Sequence, residues 1–182
     1  MDLNIKVSLT YTLGAKRLAL VALEAARCGG QTVIEDHLEV ADAELLGLAG
    51  EGGVGRRNWV RTRGNTMNLR YAAQIRVSRM SVRLENLSAM PLDQLPAEVI
   101  SFLRPSRFCQ SDQLEMFARR RFGHFLGGEK VAVIQQWIAS ELKYAPGHSD
   151  GATTLLDTFA SRKGVCRDYA HMLCGLVRAA HI

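Results

Sequence analysis

The chain of 182 residues lacks any run of about 18 uninterrupted apolar residues, the length that indicates a membrane-spanning helix. Its N-terminus, MDLNIKVSL, lacks the basic segment and long apolar stretch of a secretory signal. No repeat at a spacing of roughly 20 to 50 residues stands out. These absences predict a soluble, cytoplasmic protein with no membrane partner.

Cysteine is scarce, and its spacing excludes two further classes of protein. The chain contains four cysteines, none of which forms a C-x-x-C pair or a Cys/His group with zinc-finger spacing. They are Cys28, Cys109, Cys166 and Cys174. Neither a metal site nor a disulfide scaffold is indicated, so we predict reduced thiols and no metal or cofactor.

The charge balance argues against a nucleic-acid partner. Lys and Arg number 23 and Asp and Glu number 18, for a formal net charge of +5, and the two signs are interspersed. The basic clusters at residues 56–63 and 119–121 are interpreted as solvated faces. We predict no nucleic-acid partner.

The N-terminal half shows the period of β-strands. Apolar and polar residues alternate strictly from Leu3 to Leu13, which predicts a half-buried strand. Residues 32–40 predict another strand. Residues 17–27 suit either a helix or a strand, and we favour a strand.

Glycine punctuates the next segment. Five glycines occur in residues 47–55, which predicts a loop. Residues 58–63 and 67–77 are predicted to form paired strands joined through the turn dipeptide Gly64-Asn65.

The period then changes from two to about 3.6, which predicts helices. We place a domain boundary here, between an N-terminal domain of residues 1–90 and a helical domain of residues 91–182. Prolines, glycines and caps predict helices over 96–103 and 112–122, then a third helix that follows Gly127-Gly128 and is stopped by residues 144–147. They also predict a short helix that begins at Asp150 or Thr153 and leads to a turn at Gly164.

The last helix places a cysteine at its start. Counting from Cys166, apolar residues recur with the spacing of an amphipathic helix, at Tyr169, Ala170, Leu173, Leu176, Val177 and Ala180. Gly164 lies two residues earlier, where the chain must turn and a side chain would be in the way. A thiol at a helix N-terminus is near unpaired amides and the positive end of the helix dipole, which favour the thiolate. The same amides are suited to bind an oxyanion.

Two motifs carry a family resemblance. The run DTFASRKGVCRDYAHMLCGLVRAAHI resembles the nucleophile region of the bacterial transglutaminase-like superfamily, and RPSRFCQSD, residues 104–112, resembles that family's P-S-R-Y-C-Q-S-D segment. The resemblance implies an α+β protein: an antiparallel β-rich module followed by the helical first half of a transglutaminase-like, papain-like core. It also implies that Cys166 is the nucleophile of a cysteine protease, amidase or acyl transferase.

A cysteine nucleophile needs a base and a group that orients the base. His171 follows Cys166 by five residues on the same helix and points roughly 140° away around the axis, so we assign it a structural hydrogen bond. His148, in a loop before the helix, is the alternative. The resemblance implies that the catalytic His and Asp follow the nucleophile helix on strands. The sequence stops at Ile182, so we expect a truncated chain that is inactive by itself.

The remaining expectations concern partners and supporting residues. An uncovered last helix would expose an apolar stripe, so we predict oligomerisation through that helix. The expected substrate is a protein or peptide. Tyr144 is a candidate for oxyanion support, although we favour core packing as its use. Asp168, in the first helical turn, is a candidate for support that we interpret as structural. The alternative to an enzyme is a non-catalytic peptide-binding or scaffold module of the same fold.

Overall fold

A computed structural model describes residues 1–50 and 53–182. The chain divides into two compact units, Met1–Ser81 and Val82–Ile182, and this division precedes the boundary predicted at residue 90. The first unit is built of antiparallel sheets and the second mainly of helices. The predicted α+β class, with a β-rich N-terminal part followed by helices, is confirmed.

Among residues 1–50 and 53–81, six strands form the first unit, and each of their pairings is antiparallel. One sheet has the order β1-β6-β3 and the other has the order β2-β5-β4. The strands are β1 (Asp2–Thr12), β2 (Leu18–Val21), β3 (Gln31–Val40), β4 (Ala43–Ala49), β5 (Arg56–Thr62) and β6 (Thr66–Val77).

Side chains from both sheets share one apolar core. Alternate residues of β6 are buried, from Met67 to Ile75, and Val60 of β5 has no exposed surface. Period-two alternation therefore decides which face of each strand is buried, as predicted for β1 and for residues 67–77. β5 adds two buried polar residues, Asn58 and Thr62.

The predicted pairing of residues 58–63 with 67–77 is wrong. β5 pairs with β2 and β4, whereas β6 pairs with β1 and β3. Residues 63–65 make the expected turn, where the Thr62 hydroxyl donates to the Gly64 carbonyl at 2.6 Å, but the turn carries the chain from one sheet to the other. A tight turn shows where the chain reverses and not which strands hydrogen-bond.

Two other predictions in this unit need correction. The loop expected over 47–55 begins later, because β4 continues to Ala49 and Gly47 pairs with Asn58. Residues 51–52 of that prediction lie outside the described residues. The strand expected over 17–27 covers only Leu18–Val21. The chain then leaves the sheet, and the Ala25 amide donates to the Tyr71 hydroxyl at 2.8 Å.

The second unit contains four α-helices and a two-stranded parallel sheet among its described residues. The segment 96–103, predicted as a helix, is a 3-10 helix over Ala97–Leu103 with no buried residue. The regular elements are α1 (Glu115–Phe122), α2 (Gly127–Glu141), β7 (Lys143–Tyr144), α3 (Leu155–Ser161), β8 (Lys163–Gly164) and α4 (Cys166–Ala179).

These four helices enclose an apolar core. The residues of this core without exposed surface are Ala118, Phe122, Ile134, Leu155, Met172 and Leu176. On α2, Trp137 is buried in this core, whereas Gln135 is exposed. An aromatic ring at position 137 fills more of the core than the amide does, so the helix turns that side inwards.

Two adjacent glycines at the start of α2 explain why residues 84–87 belong to the helical unit. Gly127 has a φ of +53°, and a Cβ on Gly128 would overlap the Leu84 carbonyl. The Gly128 amide donates to the Leu87 carbonyl at 2.8 Å. The preceding segment therefore lies directly against the helix start.

In the ranges 1–50 and 53–182, none of the helices is long and apolar enough to cross a membrane.

Candidate functional site

The start of α4 presents a thiol to solvent. Cys166 is the first residue of the helix, Val165 precedes it in extended conformation, and Cys166 is exposed. The predicted placement of this cysteine at a helix N-terminus agrees with the structure. Its role as a nucleophile stays a prediction.

The first amides of α4 divide into engaged and available donors. The amides of Asp168 and Tyr169 donate to the Val165 carbonyl, at 2.9 and 3.1 Å. Within the part of the chain that the structure describes, the amides of Cys166 and Arg167 donate no hydrogen bond. Two free N–H groups at the positive end of a helix, beside a thiol, are an anion-binding arrangement.

Asp168 is the buried polar centre of this helix start. Its carboxylate has no exposed surface and accepts hydrogen bonds from the Ser149 hydroxyl at 2.5 Å and from the Val165 amide at 2.8 Å. The Arg167 guanidinium donates to its other oxygen at 3.1 Å. Burial opposes ionisation, but the hydrogen bonds and the Arg167 charge outweigh it and hold the pKa of Asp168 below its ordinary value.

Gly164 makes room for this carboxylate. A Cβ at position 164 would lie 2.7 Å from the Asp168 Cβ and 2.9 Å from its Oδ2, closer than atoms in proteins pack. Its φ does not lie in the left-handed region, so space is what requires glycine here. This confirms the prediction that a side chain at position 164 would be in the way.

Tyr144 lies beside the same helix start. It pairs with Gly164 in the parallel β7–β8 ladder, and the next residue, Ala145, donates its amide to the Gly164 carbonyl at 2.9 Å. The Tyr144 ring centroid is 6.3 Å from that of Tyr169, whose hydroxyl donates to the Leu142 carbonyl at 2.8 Å. Tyr144 is 58% exposed, so the favoured prediction of core packing is wrong.

A loop between β7 and α3 is hydrogen-bonded to the first turn of α4. Ser149 holds the Asp168 carboxylate, and the Asp150 carbonyl accepts from the Arg167 guanidinium at 2.5 Å. The Asp150 carboxylate caps its own turn by accepting the amides of Ala152 and Thr153. Ser149 was missed from the sequence, because a serine in a polar turn is ordinary and its partner lies 19 residues away.

The capping residue of α3 differs from both predicted candidates. Thr154 occupies the N-cap, and it and Asp157 bond each other's backbone amides in a reciprocal capping box. Asp150 and Thr153 form the preceding turn instead.

His171 is not hydrogen-bonded as predicted. Its Nδ1 is buried without a partner among the described residues, and its ring stacks on Phe108 with the centroids 5.7 Å apart. Burial lowers the pKa of this imidazole, the Arg167 charge lowers it further, and the Asp168 charge opposes both.

The buried side of α4 is rotated by one residue from the predicted stripe. It follows the sequence Asp168, Met172, Gly175, Leu176 and Ala179, whereas Ala170 is exposed. The first buried position holds the hydrogen-bonded carboxylate of Asp168, and hydrophobic periodicity cannot identify a buried charge.

The other helices of the unit cover much of α4. Leu176 has no exposed surface, and Tyr169, Leu173 and Val177 are partly buried against the helical core. The apolar surface left on this side is smaller than expected. Oligomerisation through the last helix stays a prediction.

No metal centre is evident among the described residues, since they contain no group of three or more His, Cys, Asp and Glu side chains able to hold an ion.

Comparison with known proteins gives two similarities. Residues 123–182 match the family model described as "Transglutaminase-like superfamily". The fold is similar to the crystal structure of a "putative cysteine protease" from Cytophaga hutchinsonii, with a TM-score of 0.88 and 29% sequence identity. The alignment covers 99% of this chain and 64% of that one, so the chain spans less than two thirds of that structure's length. No curated protein matches the chain.

Proposed function

We propose, because the chain belongs to the transglutaminase-like superfamily, that Cys166 is the thiolate nucleophile of an enzyme acting on amide bonds of proteins or peptides, and that the 182-residue chain by itself is inactive. One observation carries the proposal: an exposed thiol stands at the first position of α4 beside two backbone amides without other partners. This combines a nucleophile with donors for the charge that its attack creates.

The chemistry follows from that arrangement. The Cys166 thiolate attacks the amide carbonyl carbon, a C–S bond forms, and the carbonyl oxygen becomes an oxyanion that accepts from the Cys166 and Arg167 amides. When the oxyanion collapses, the C–N bond breaks, and the leaving nitrogen takes a proton from solvent water, so that a neutral amine departs. The resulting thioester then reacts with water, which is hydrolysis, or with a second amine, which is acyl transfer.

Tyr144 and Asp168 support this site in different ways. The exposed Tyr144 pairs with Gly164 at the entrance to α4, so we assign its hydroxyl to the substrate side as a further donor. Asp168 is buried and negatively charged, so it would repel an oxyanion and is no part of an oxyanion hole. It holds the helix start through the Val165 amide.

Alkylation by iodoacetamide at neutral pH tests the proposal, with each cysteine followed separately by mass spectrometry. Cys174 is the internal control, because it is also exposed on α4 but lies away from the N-terminus of that helix. We expect Cys166 to react at least about tenfold faster than Cys174, since the unpaired amides and the dipole at a helix N-terminus favour the reactive thiolate. The variant Cys166→Ser should lose the fast phase.

Equal, slow labelling of Cys166 and Cys174 would contradict the enzyme. That outcome would favour the non-catalytic alternative, a peptide-binding or scaffold module, in which Cys166 is only a surface residue. The predicted cytoplasmic location is part of this proposal and is independent of the labelling result.

A further inference from the structure

We infer that Ser149 is a positioning residue of the Cys166 site, acting through Asp168. The inference rests on the proposed function, and it assigns a role to the loop of residues 145–153, which sequence motifs did not identify. It concerns how the first turn of α4 is held in the geometry that an activated thiol needs.

Ser149 supplies the one hydroxyl bonded to the buried carboxylate of Asp168. Its Oγ donates to Oδ2, and the same Oδ2 accepts the Val165 amide at 2.8 Å. Val165 immediately precedes Cys166. A single carboxylate oxygen therefore links the loop to the backbone on which the thiol stands.

A second connection makes the attachment two-pointed. The Arg167 guanidinium donates to the Asp150 carbonyl and also to Oδ1 of Asp168. The loop is thus bound to both residues that follow Cys166, once by a side chain and once by its backbone. Two points of attachment hold the loop against the first turn of α4 more firmly than a single bond would.

The electrostatic role of Ser149 points the same way. Asp168 carries a negative charge two residues from Cys166, and that charge disfavours a thiolate. A hydroxyl that donates to the carboxylate disperses part of the charge, and it keeps the carboxylate on the Val165 amide. Loss of the hydroxyl should therefore both loosen the helix start and make the thiolate less favourable.

The test compares variants at position 149 in the 182-residue protein. Ser149→Ala removes the hydroxyl. Ser149→Thr and Ser149→Val introduce side chains of nearly the same shape as each other, of which only threonine carries a hydroxyl. Ser140→Ala is the matched control, because the Ser140 hydroxyl also donates one hydrogen bond, to the Trp137 carbonyl, but lies on α2 and does not contact Asp168. The probe is iodoacetamide. The rate of Cys166 alkylation is measured from about pH 5 to about pH 10, an interval that spans the titration of an ordinary thiol.

We expect Ser149→Ala and Ser149→Val to alkylate at Cys166 at least about threefold more slowly at neutral pH, with the midpoint of the pH profile shifted upwards, since bonds to charged groups are among the stronger hydrogen bonds. Ser149→Thr should restore most of the rate, and Ser140→Ala should match the unsubstituted protein. A purely structural serine would lower the melting temperature without moving the midpoint.

An unchanged midpoint in Ser149→Ala, or equal rates for the Thr and Val variants, would overturn the inference. The proposed function is judged separately, by Cys166 against Cys174 in the unsubstituted protein. If Cys166 there is alkylated no faster than Cys174, the proposed enzyme is contradicted. If Cys166 is alkylated fast and its rate does not depend on residue 149, only the role of Ser149 is contradicted.

Discussion

Gly164 and Asp168 are in such close contact that a methyl group on the glycine would lie 2.7 Å from the Cβ of the aspartate. Asp168 in turn bonds the backbone of Val165 from inside the protein. The residue before the helix and the residue in its first turn therefore depend on each other. Between them they place Cys166 at the surface.

Replacement of Gly164 by alanine should destabilise the helical unit. The added methyl forces the Asp168 carboxylate away from its donors, and overpacking of this kind costs about 1–3 kcal/mol in the free energy of unfolding. Urea denaturation measures the loss. Gly151→Ala is the matched control, because no atom lies within 4 Å of a Cβ built at Gly151. Equal stability of the two variants would show that the carboxylate tolerates the methyl group.

Asp168→Asn should make stability less dependent on pH. The folded pKa of Asp168 lies below its ordinary value of 3.8, so its ionised form stabilises the fold above that value, and the contribution is lost as the pH falls through the folded pKa. The amide keeps the shape but loses charge-assisted bonds, at a cost of about 1.5–3 kcal/mol at neutral pH.

The measurement for Asp168→Asn is urea unfolding at pH 7 and at several values below pH 4. The difference between the variant and the unsubstituted protein should shrink as the pH falls. Asp157→Asn serves as the comparison, because Asp157 also has a lowered pKa, from its bonds to Thr154, but lies outside the Cys166 site. A constant difference at every pH would mean that Asp168 is not ionised in the fold.

His171→Gln should remove a loss of stability on mild acidification. The folded pKa of His171 lies below its ordinary value of 6.5, so the unfolded chain binds the proton more readily, and stability falls as the pH drops below that value. We expect the unsubstituted protein to lose stability between neutral pH and pH 5 more steeply than the variant, as followed by thermal unfolding. His148→Gln, at an exposed loop position, should keep the original slope.

Local sequence patterns accounted for several features of the site. The spacing of apolar residues after Cys166 placed a helix start at the thiol, and the glycine two residues before it predicted a steric requirement that the structure explains by Asp168. The alternation from Leu3 to Leu13 identified β1. Each of these signals depends on neighbours within a few residues.

Errors arose where partners are distant in the chain. Gly64-Asn65 marks a turn, but the strands on either side of it pair with other strands, because a tight turn can join two sheets as well as one. Hydrophobic spacing predicted that the buried face of α4 begins at Tyr169, whereas it begins at Asp168. A carboxylate is predicted to lie at the surface unless its hydrogen-bond donors are known.

Periodicity and turn residues thus suffice to locate the thiol at a helix terminus and to separate a β-rich part from a helical part, because both depend on short-range backbone geometry. The folded chain alone reveals that Ser149, Arg167 and Val165 converge on one buried carboxylate. The physical reason is desolvation: Asp168 can be buried only when donors from a separate loop replace water, and their arrival depends on how the helices pack.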